Sequence, residues 1–431
     1  MLYYSTNKKA PVAGFKEATI KGLAPDNGLY YPMQIPQLPK GFIDNLSNLS
    51  KAEIAYTVIK PYVGDAIPKN VLQRIAAETV NFNFPLVKIN DRISSLELFH
   101  GPTLAFKDVG ARFMSRCLGY FVQGGDRNVT VLVATSGDTG GAVANGFYNV
   151  QGVNVVILYP SGKVSSVQEQ QLTTLGNNIT AIEIDGNFDD CQQLVKQAFA
   201  DAVLNDELFL TSANSINVAR WLPQQFYYYY GYQQWVDKSN PPVVCVPSGN
   251  FGNICAGMIA HVSGLPVQHF IAACNANASV TEYLETGLFQ SKKAVPTISN
   301  AMDVGNPSNF VRILELYGNQ YPQVKQHLSS YSVSDIETRT TLKQLYDQYH
   351  YQADPHGAVA FNALEKYLQN HPGQKGIILE TAHPVKFYDV VEPVIGSPVP
   401  MPHMVSAIMS KKKESIFMQP VYSLFKEWLL S

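Results

Sequence analysis

Val129-Thr130-Val131-Leu132-Val133-Ala134-Thr135-Ser136-Gly137-Asp138-Thr139-Gly140-Gly141 is the stretch that settles the class of fold. Its first six residues are β-branched or small and apolar without alternation, the pattern of a strand buried on both faces. A glycine- and hydroxyl-rich loop follows directly, and residues 142–148 then read as a helix. The same strand–loop–helix rhythm runs outward in both directions. Upstream, Ser94, Leu96 and Leu98 alternate as a strand, and a helix is expected over 109–121. Downstream come strands over 154–160 and 179–184 and one amphipathic helix over 189–204. A second round begins near Asn214, with a strand over 243–246, a glycine turn at 247–253 and a small-residue helix over 254–262. Strands over 270–274 and 376–380 complete it, with helices over 333–351 and 357–368 between them. Strands alternating with helices predict an α/β protein built from two mainly parallel sheets with right-handed crossovers.

Two further units frame this region. Residues 1–85 are expected to fold as a small N-terminal domain, with a turn at Asp26-Asn27-Gly28 and a short strand at Leu29-Tyr30-Tyr31-Pro32. Helices are expected there over 52–63 and 68–79; no chemical constellation is visible, so this unit is read as a buttress. Residues 86–395 form the α/β region, with a smaller sub-domain over roughly 125–210 and a larger one from the rest. Residues 396–431 are a tail, proline-rich at first and ending in a short amphipathic helix. The run Tyr227–Tyr230 is read as helix packing.

Composition narrows the function. At 431 residues and 46% hydrophobic, the chain can bury a large core, and a net charge of −2 gives no electrostatic case for nucleic acid or an anionic membrane. The start lacks the apolar run of a signal peptide, and no stretch reaches the ~18 apolar residues of a membrane span. The five cysteines (117, 191, 245, 255 and 274) lack CxxC spacing, which points to buried thiols in a reducing, cytoplasmic setting. The nine histidines form no metal-binding pattern, so no metal is expected.

Four elements carry chemistry. In Glu97-Leu98-Phe99-His100-Gly101-Pro102-Thr103-Leu104-Ala105-Phe106-Lys107-Asp108, a lysine sits behind a Gly-Pro turn in apolar company. Such surroundings disfavour an ammonium ion and make the amine a nucleophile or Schiff-base partner. Ser248-Gly249-Asn250-Phe251-Gly252-Asn253 offers consecutive backbone N–H groups at a helix start, suited to a phosphate; it is neither a Walker A loop nor GxGxxG. Thr135-Ser136-Gly137-Asp138-Thr139-Gly140 occupies the equivalent place in the first sheet and suits a carboxylate. Thr381, in Glu380-Thr381-Ala382-His383-Pro384, could hydrogen-bond a ring nitrogen without charging it. A lysine for an aldehyde, a backbone phosphate cradle, a neutral partner for a ring nitrogen and a carboxylate site together suit pyridoxal phosphate and an amino acid.

The chain resembles threonine synthase, of the tryptophan-synthase-β-like, fold type II class of pyridoxal-phosphate enzymes. The resemblance runs over nearly the whole length. It rests on the Lys107 and Ser136 stretches, Asn214-Ser215-Ile216-Asn217, the Gly249 loop, Asn300-Ala301-Met302-Asp303-Val304 and Thr381-Ala382-His383-Pro384. It implies that pyridoxal 5'-phosphate is held as a covalent aldimine on Lys107, which is also the main proton carrier. Gly249, Asn250, Phe251, Gly252 and Asn253 would hold the cofactor phosphate, with Asn253 standing where close relatives are expected to have aspartate. Thr381 would face the pyridine nitrogen. Asp138 would stand at the ring edge, where asparagine is common in the wider class, and Ser136 and Thr139 at the substrate carboxylate. The implied reaction is O-phospho-L-homoserine plus water to L-threonine and phosphate. For the substrate phosphate, Lys163, Asn214 and Arg220 are the candidates. Other readings remain: a phospholyase or dehydratase of the same fold, or a non-catalytic cofactor-binding protein. A monomer without nucleic-acid or membrane partners is expected.

Overall fold

In the computed structural model, which describes residues 1–125 and 128–431, the strands form three sheets. In chain order they are β1 (Leu2–Ser5), β2 (Ala13–Gly14), β3 (Tyr30–Pro32), β4 (Leu86–Lys88), β5 (Ile93–Glu97), β6 (Val129–Ala134) and β7 (Val153–Pro160). They continue as β8 (Ile179–Ile184), β9 (Phe209–Ser212), β10 (Val243–Pro247), β11 (His269–Cys274), β12 (Leu328–Ser332), β13 (Gly376–Glu380) and β14 (Ile416–Met418). The larger sheet has the order β12-β11-β10-β13-β5-β4 and is parallel except for its edge strand β4. The smaller has the order β14-β8-β7-β6-β9 and is parallel throughout. The N-terminal residues make a three-stranded antiparallel sheet, β2-β1-β3. This is the α/β architecture with two parallel sheets that the strand–helix rhythm predicts.

β6 and β10 are buried along their whole length and both run into glycine loops followed by helices, Asp138–Phe147 and Gly252–Val262. Loops at the carboxyl ends of parallel strands are where this kind of sheet places its ligands. The tyrosine run lies in the helix Phe226–Gln234, in which residues 226–232 are all buried. Successive tyrosines on a helix point about 100° apart, so their hydroxyls reach different neighbours. Tyr227 donates to the carbonyl of Phe106, Tyr228 to that of Asn253 at 2.6 Å, and Tyr230 to that of Lys51 at 2.9 Å. One helix thereby ties the lysine segment, the Gly249 loop and the N-terminal helix Lys51–Val63 to a single axis.

Several expectations need correction. The helix expected over 189–204 is two, Phe188–Ala200 and Ala202–Glu207. Asp201 between them is extended and caps the second by accepting from the N–H of Leu204 at 3.2 Å. Its other oxygen accepts from Tyr422 at 2.8 Å and Lys426 at 2.7 Å, a tertiary demand that helical periodicity does not reveal. The helix expected over 142–148 begins earlier, at Asp138, because Gly137 (φ 135°) makes the turn before it. The helix expected over 109–121 begins at Lys107 itself. Strands β1, β2, β4, β9, β12 and β14 lie outside the strands expected from the pattern; β14 is in the tail and pairs with β8, Phe417 opposite Glu183.

Candidate active site

Every residue singled out for chemistry in the sequence lines one cavity of about 680 Å³ between the two parallel sheets. Lys107, Asp138, Ser136, Thr139, Gly249, Asn250, Phe251, Gly252, Asn253 and Thr381 are on its wall, as are Lys163, Asn214 and Arg220.

Lys107 is the first residue of the helix Lys107–Val122. Its segment is pinned to the one carrying Thr381: Phe106 N–H donates to the Thr381 carbonyl at 2.9 Å, and His383 N–H to that of Leu104 at 3.0 Å. Two stretches far apart in sequence thus hold the amine and the hydroxyl on one wall. Lys107 is half-buried, open to the cavity and otherwise enclosed by protein. Burial pushes its amine down from the ordinary lysine range to about 8; Asp138 opposes that shift, and Lys386 and Arg220 reinforce it.

Asp138 is buried. Burial alone would raise its carboxyl, but Lys386 and then Lys107 hold it well below the usual carboxylate range. Its Oδ1 accepts from Lys386 Nζ at 2.7 Å and from Gln168 Nε2 at 2.9 Å. Thr135 Oγ1 accepts from the N–H groups of Gly137 at 3.0 Å and Gly140 at 2.9 Å, shaping the loop that presents Ser136 and Thr139. A Cβ at Gly137 would fall 2.4 Å from Gln168.

The Gly249 loop fits a phosphate by its backbone. Phe251 adopts the left-handed conformation (φ 61°) just before the helix Gly252–Val262. Among the described residues, the N–H groups of Gly249, Asn250, Phe251, Gly252 and Asn253 have no protein acceptor. Consecutive unpaired donors at a helix start form an anion site, and no lysine or arginine belongs to the loop itself. A Cβ on Gly249 would stand 2.8 Å from Met302 Cα, so the Asn300–Met302 turn closes over the loop because that position has no side chain. Asn253 turns its side chain inward, donating from Nδ2 to the Pro247 carbonyl at 2.8 Å. An aspartate cannot make that bond, so asparagine here braces the loop.

The three expected substrate-phosphate residues differ in situation. Lys163 is exposed at the rim. Asn214 donates to the Ala134 carbonyl at 3.2 Å. Arg220 is buried, spends Nη1 on the Ala213 carbonyl at 2.6 Å, and is pushed down to about 10 by burial. Sequence reasoning missed Lys386, Gln168 and His356. His356, also on the cavity wall, sits 2.5 Å from Asp354 through Nδ1, and its Nε2 accepts from the Ala301 N–H at 3.2 Å. That single contact orients the turn over Gly249. The helix expected over 357–368 in fact begins at Pro355 with Asp354 as its cap, and the Asp354–His356 pairing becomes visible only through the fold.

A lysine amine shifted toward neutrality, an unpaired backbone phosphate cradle and a hydroxyl on the lysine's own wall fit pyridoxal phosphate. Comparison with known proteins agrees. A family model for pyridoxal-phosphate dependent enzymes matches residues 90–380, one for the threonine synthase N terminus matches 2–80, and one for the threonine synthase C-terminal region matches 357–428. The chain is 43% identical to a threonine synthase of Serratia marcescens over 403 residues, covering 93% of this chain and 92% of the relative. The crystal structure of threonine synthase from Escherichia coli superposes with a TM-score of 0.93 at 40% identity, covering 100% of this chain and 99% of that one. A pyridoxal-phosphate-bound threonine synthase from Brucella melitensis gives 0.92 at 34% identity, covering 100% and 98%. The chain belongs to the threonine synthase family of pyridoxal-phosphate-dependent enzymes.

Proposed function

We propose that Lys107 is the residue that binds the cofactor covalently and moves the protons in the conversion of O-phospho-L-homoserine and water to L-threonine and phosphate. The supporting observation is its amine, lowered by burial to about 8 and facing both glycine loops across one cavity. Pyridoxal phosphate, when bound, supplies the electron sink that makes the substrate's Cα–H acidic.

The chain's own groups do the rest. Lys107 Nζ takes a proton first from Cα and then from Cβ of the substrate, as the γ-phosphate leaves; it returns a proton to Cγ, water then adds at Cβ, and a proton returns to Cα. A lysine near neutrality can do both because it is neither a permanent ammonium nor too weak a base. The N–H groups of Gly249 to Asn253 hold the cofactor phosphate, while Thr381 presents a neutral hydroxyl to the ring nitrogen. Ser136 and Thr139, at the N-terminus of the helix Asp138–Phe147, orient the substrate carboxylate, and Asp138 stands at the ring edge. Lys163, Asn214 and Arg220 receive the substrate phosphate. The division into residues 1–85, 86–395 and 396–431 belongs to the same proposal. So does a cytoplasmic monomer; no helix among the described residues is long and apolar enough to cross a membrane.

The test is borohydride reduction of the cofactor-loaded protein followed by peptide mapping. The label is expected on Lys107, and Lys107→Ala should take up no label and release neither threonine nor phosphate from phosphohomoserine. A label on another lysine would end the assignment.

A further inference from the structure

Lys386 has no part in the chemistry described so far, yet it is the most completely enclosed cation beside the cavity. Its side chain is 0% exposed, in the turn Pro384–Phe387 just beyond Thr381. Nζ is 2.7 Å from Asp138 Oδ1 and donates to the Thr103 carbonyl at 2.9 Å. Gln171 Nε2 donates to that same carbonyl at 3.0 Å, and Gln168 Nε2 to the same Asp138 oxygen. A buried lysine tolerates such a place only with partners of this kind, and both partners belong to the machinery around Lys107. Thr103 lies in the turn before Lys107, and Asp138 opens the helix across the cavity.

The carboxylate on the wall poses a problem for a nucleophilic lysine. The cations that act on Asp138 are Lys386 and, more weakly, Lys107. The charges acting on Lys107 are Asp138, Lys386 and Arg220. Lys386 acts as well on the buried Asp108 and on His383. With Lys386 absent, a buried carboxylate would be left with Lys107 as its counter-ion, and a paired lysine is a held ammonium.

We propose that Lys386 is a positioning residue for the Lys107 chemistry: it serves Asp138 as a dedicated counter-ion, keeping the carboxylate ionised and fixed at the cavity wall without letting it capture Lys107. The inference rests on the reading of Lys107 as the cofactor lysine, and it concerns a property of the chain that exists before cofactor binds.

The test uses the full-length chain freed of cofactor. Lys107 is titrated by its pH-dependent reaction with trinitrobenzenesulfonate, quantified by peptide mapping. In Lys386→Met, of similar length and uncharged, the midpoint for Lys107 should rise by about one unit, a roughly tenfold loss of free amine near neutrality. In Asp138→Asn it should fall. In the double variant it should return to within about half a unit of the wild-type value. Lys386→Arg, which keeps the charge, should leave the midpoint in place. If Lys386→Met does not fold, the comparison becomes Asp138→Asn with and without Lys386→Met, where only the direct repulsion between Lys386 and Lys107 is lost and the midpoint should rise by no more than about half a unit; a rise of about one unit there overturns the proposal. A lysine that merely supports the Thr103 turn predicts equal losses of thermal stability with and without the Asp138→Asn substitution, and no movement of the midpoint. An unmoved midpoint in folded Lys386→Met, a raised one in Lys386→Arg, or an equal rise with and without Asp138, overturns the proposal. Added pyridoxal phosphate should protect Lys107 in the wild-type chain; lack of protection would sink the cofactor-lysine reading and leave the ion-pair result standing.

Discussion

Asp108 shows how one side chain aims the residue before it. It is buried, and its Oδ2 accepts from the Thr103 N–H at 2.9 Å while Oδ1 accepts from the Thr103 hydroxyl at 2.5 Å. A Cβ on Gly101 would fall 2.4 Å from Asp108 Oδ2, which is why the turn before Lys107 opens with glycine. Burial pushes the Asp108 carboxyl up to about 6 from an ordinary 3.8, against the lowering effect of the Thr103 bonds and Lys386. A raised folded-state value means that the unfolded chain loses this proton first. The contribution to stability is therefore full below about pH 4 and lost as pH rises through about 6. In Asp108→Asn, which cannot ionise, that loss should be missing. Urea unfolding should show the variant gaining on the wild type between about pH 4 and 6 and keeping a constant difference above, as proton linkage requires. A flat difference across the window would mean that the carboxyl is charged throughout. The glycine and the lysine of this turn are legible in sequence. The Asp108–Thr103 clamp is local enough to be guessed there, but the burial that gives it a raised pKa is not.

At the scale of elements, the informative unit is β10, its loop and the helix Gly252–Val262. The loop is legible because glycines directly after a buried β-branched strand leave the backbone as the only means of gripping a ligand. What covers the loop comes from elsewhere: the Asn300–Met302 turn, steered by His356 through the Ala301 N–H. Gly249→Ala should force Met302 away from a 2.8 Å approach and open the cradle while leaving both sheets intact. Titration of cofactor absorbance should show affinity for pyridoxal phosphate weakened by about tenfold or more, which corresponds to ~1.4 kcal/mol. Unchanged affinity would mean that the turn yields freely. The split of the expected 189–204 helix makes the same point from the opposite direction. Its apolar period persists through residues 188–207, and only the pull of Tyr422 and Lys426 on Asp201 explains the break.

At the scale of the whole molecule, long crossings hold the parts in register. Arg312, fully buried and 4.1 Å from the Trp221 ring, donates to the carbonyls of Tyr30 (3.0 Å), Ile216 (2.6 Å) and Ser215 (3.1 Å). It fastens strand β3 of the N-terminal unit to the Asn214–Asn217 loop of the site. The tail crosses in the other direction, from the larger sheet's helices to the smaller sheet. Lys413 Nζ lies 2.6 Å from both Glu169 and Glu183, β14 pairs with β8, and Phe425 is buried in one cluster with Ile182 and Leu194. Partly exposed ion pairs of this type contribute little, ~0–1 kcal/mol each, so the strand and the buried phenylalanine carry most of the attachment. Deleting residues 415–431 should expose the β8 edge and lower Tm by about 5 °C or more, or leave the chain prone to aggregation. An unchanged Tm in a calorimetric scan would make the tail dispensable.

Read without its fold, the chain already specified the strand–helix order, the two glycine loops, a lysine behind a Gly-Pro turn and the hydroxyl of Thr381. All of these depend on local properties: apolar periodicity, β-branching, glycine's freedom and the residue types that a cofactor's groups require. The folded molecule was needed to establish that Lys386 neutralises Asp138, that His356 holds the turn above Gly249, that Arg312 joins the N-terminal unit to the site, and that the tail supplies a strand. Each of these is a contact between residues distant in the chain. Its energy comes from burial and charge pairing in the folded interior, and no sequence period records where a buried charge will find its partner.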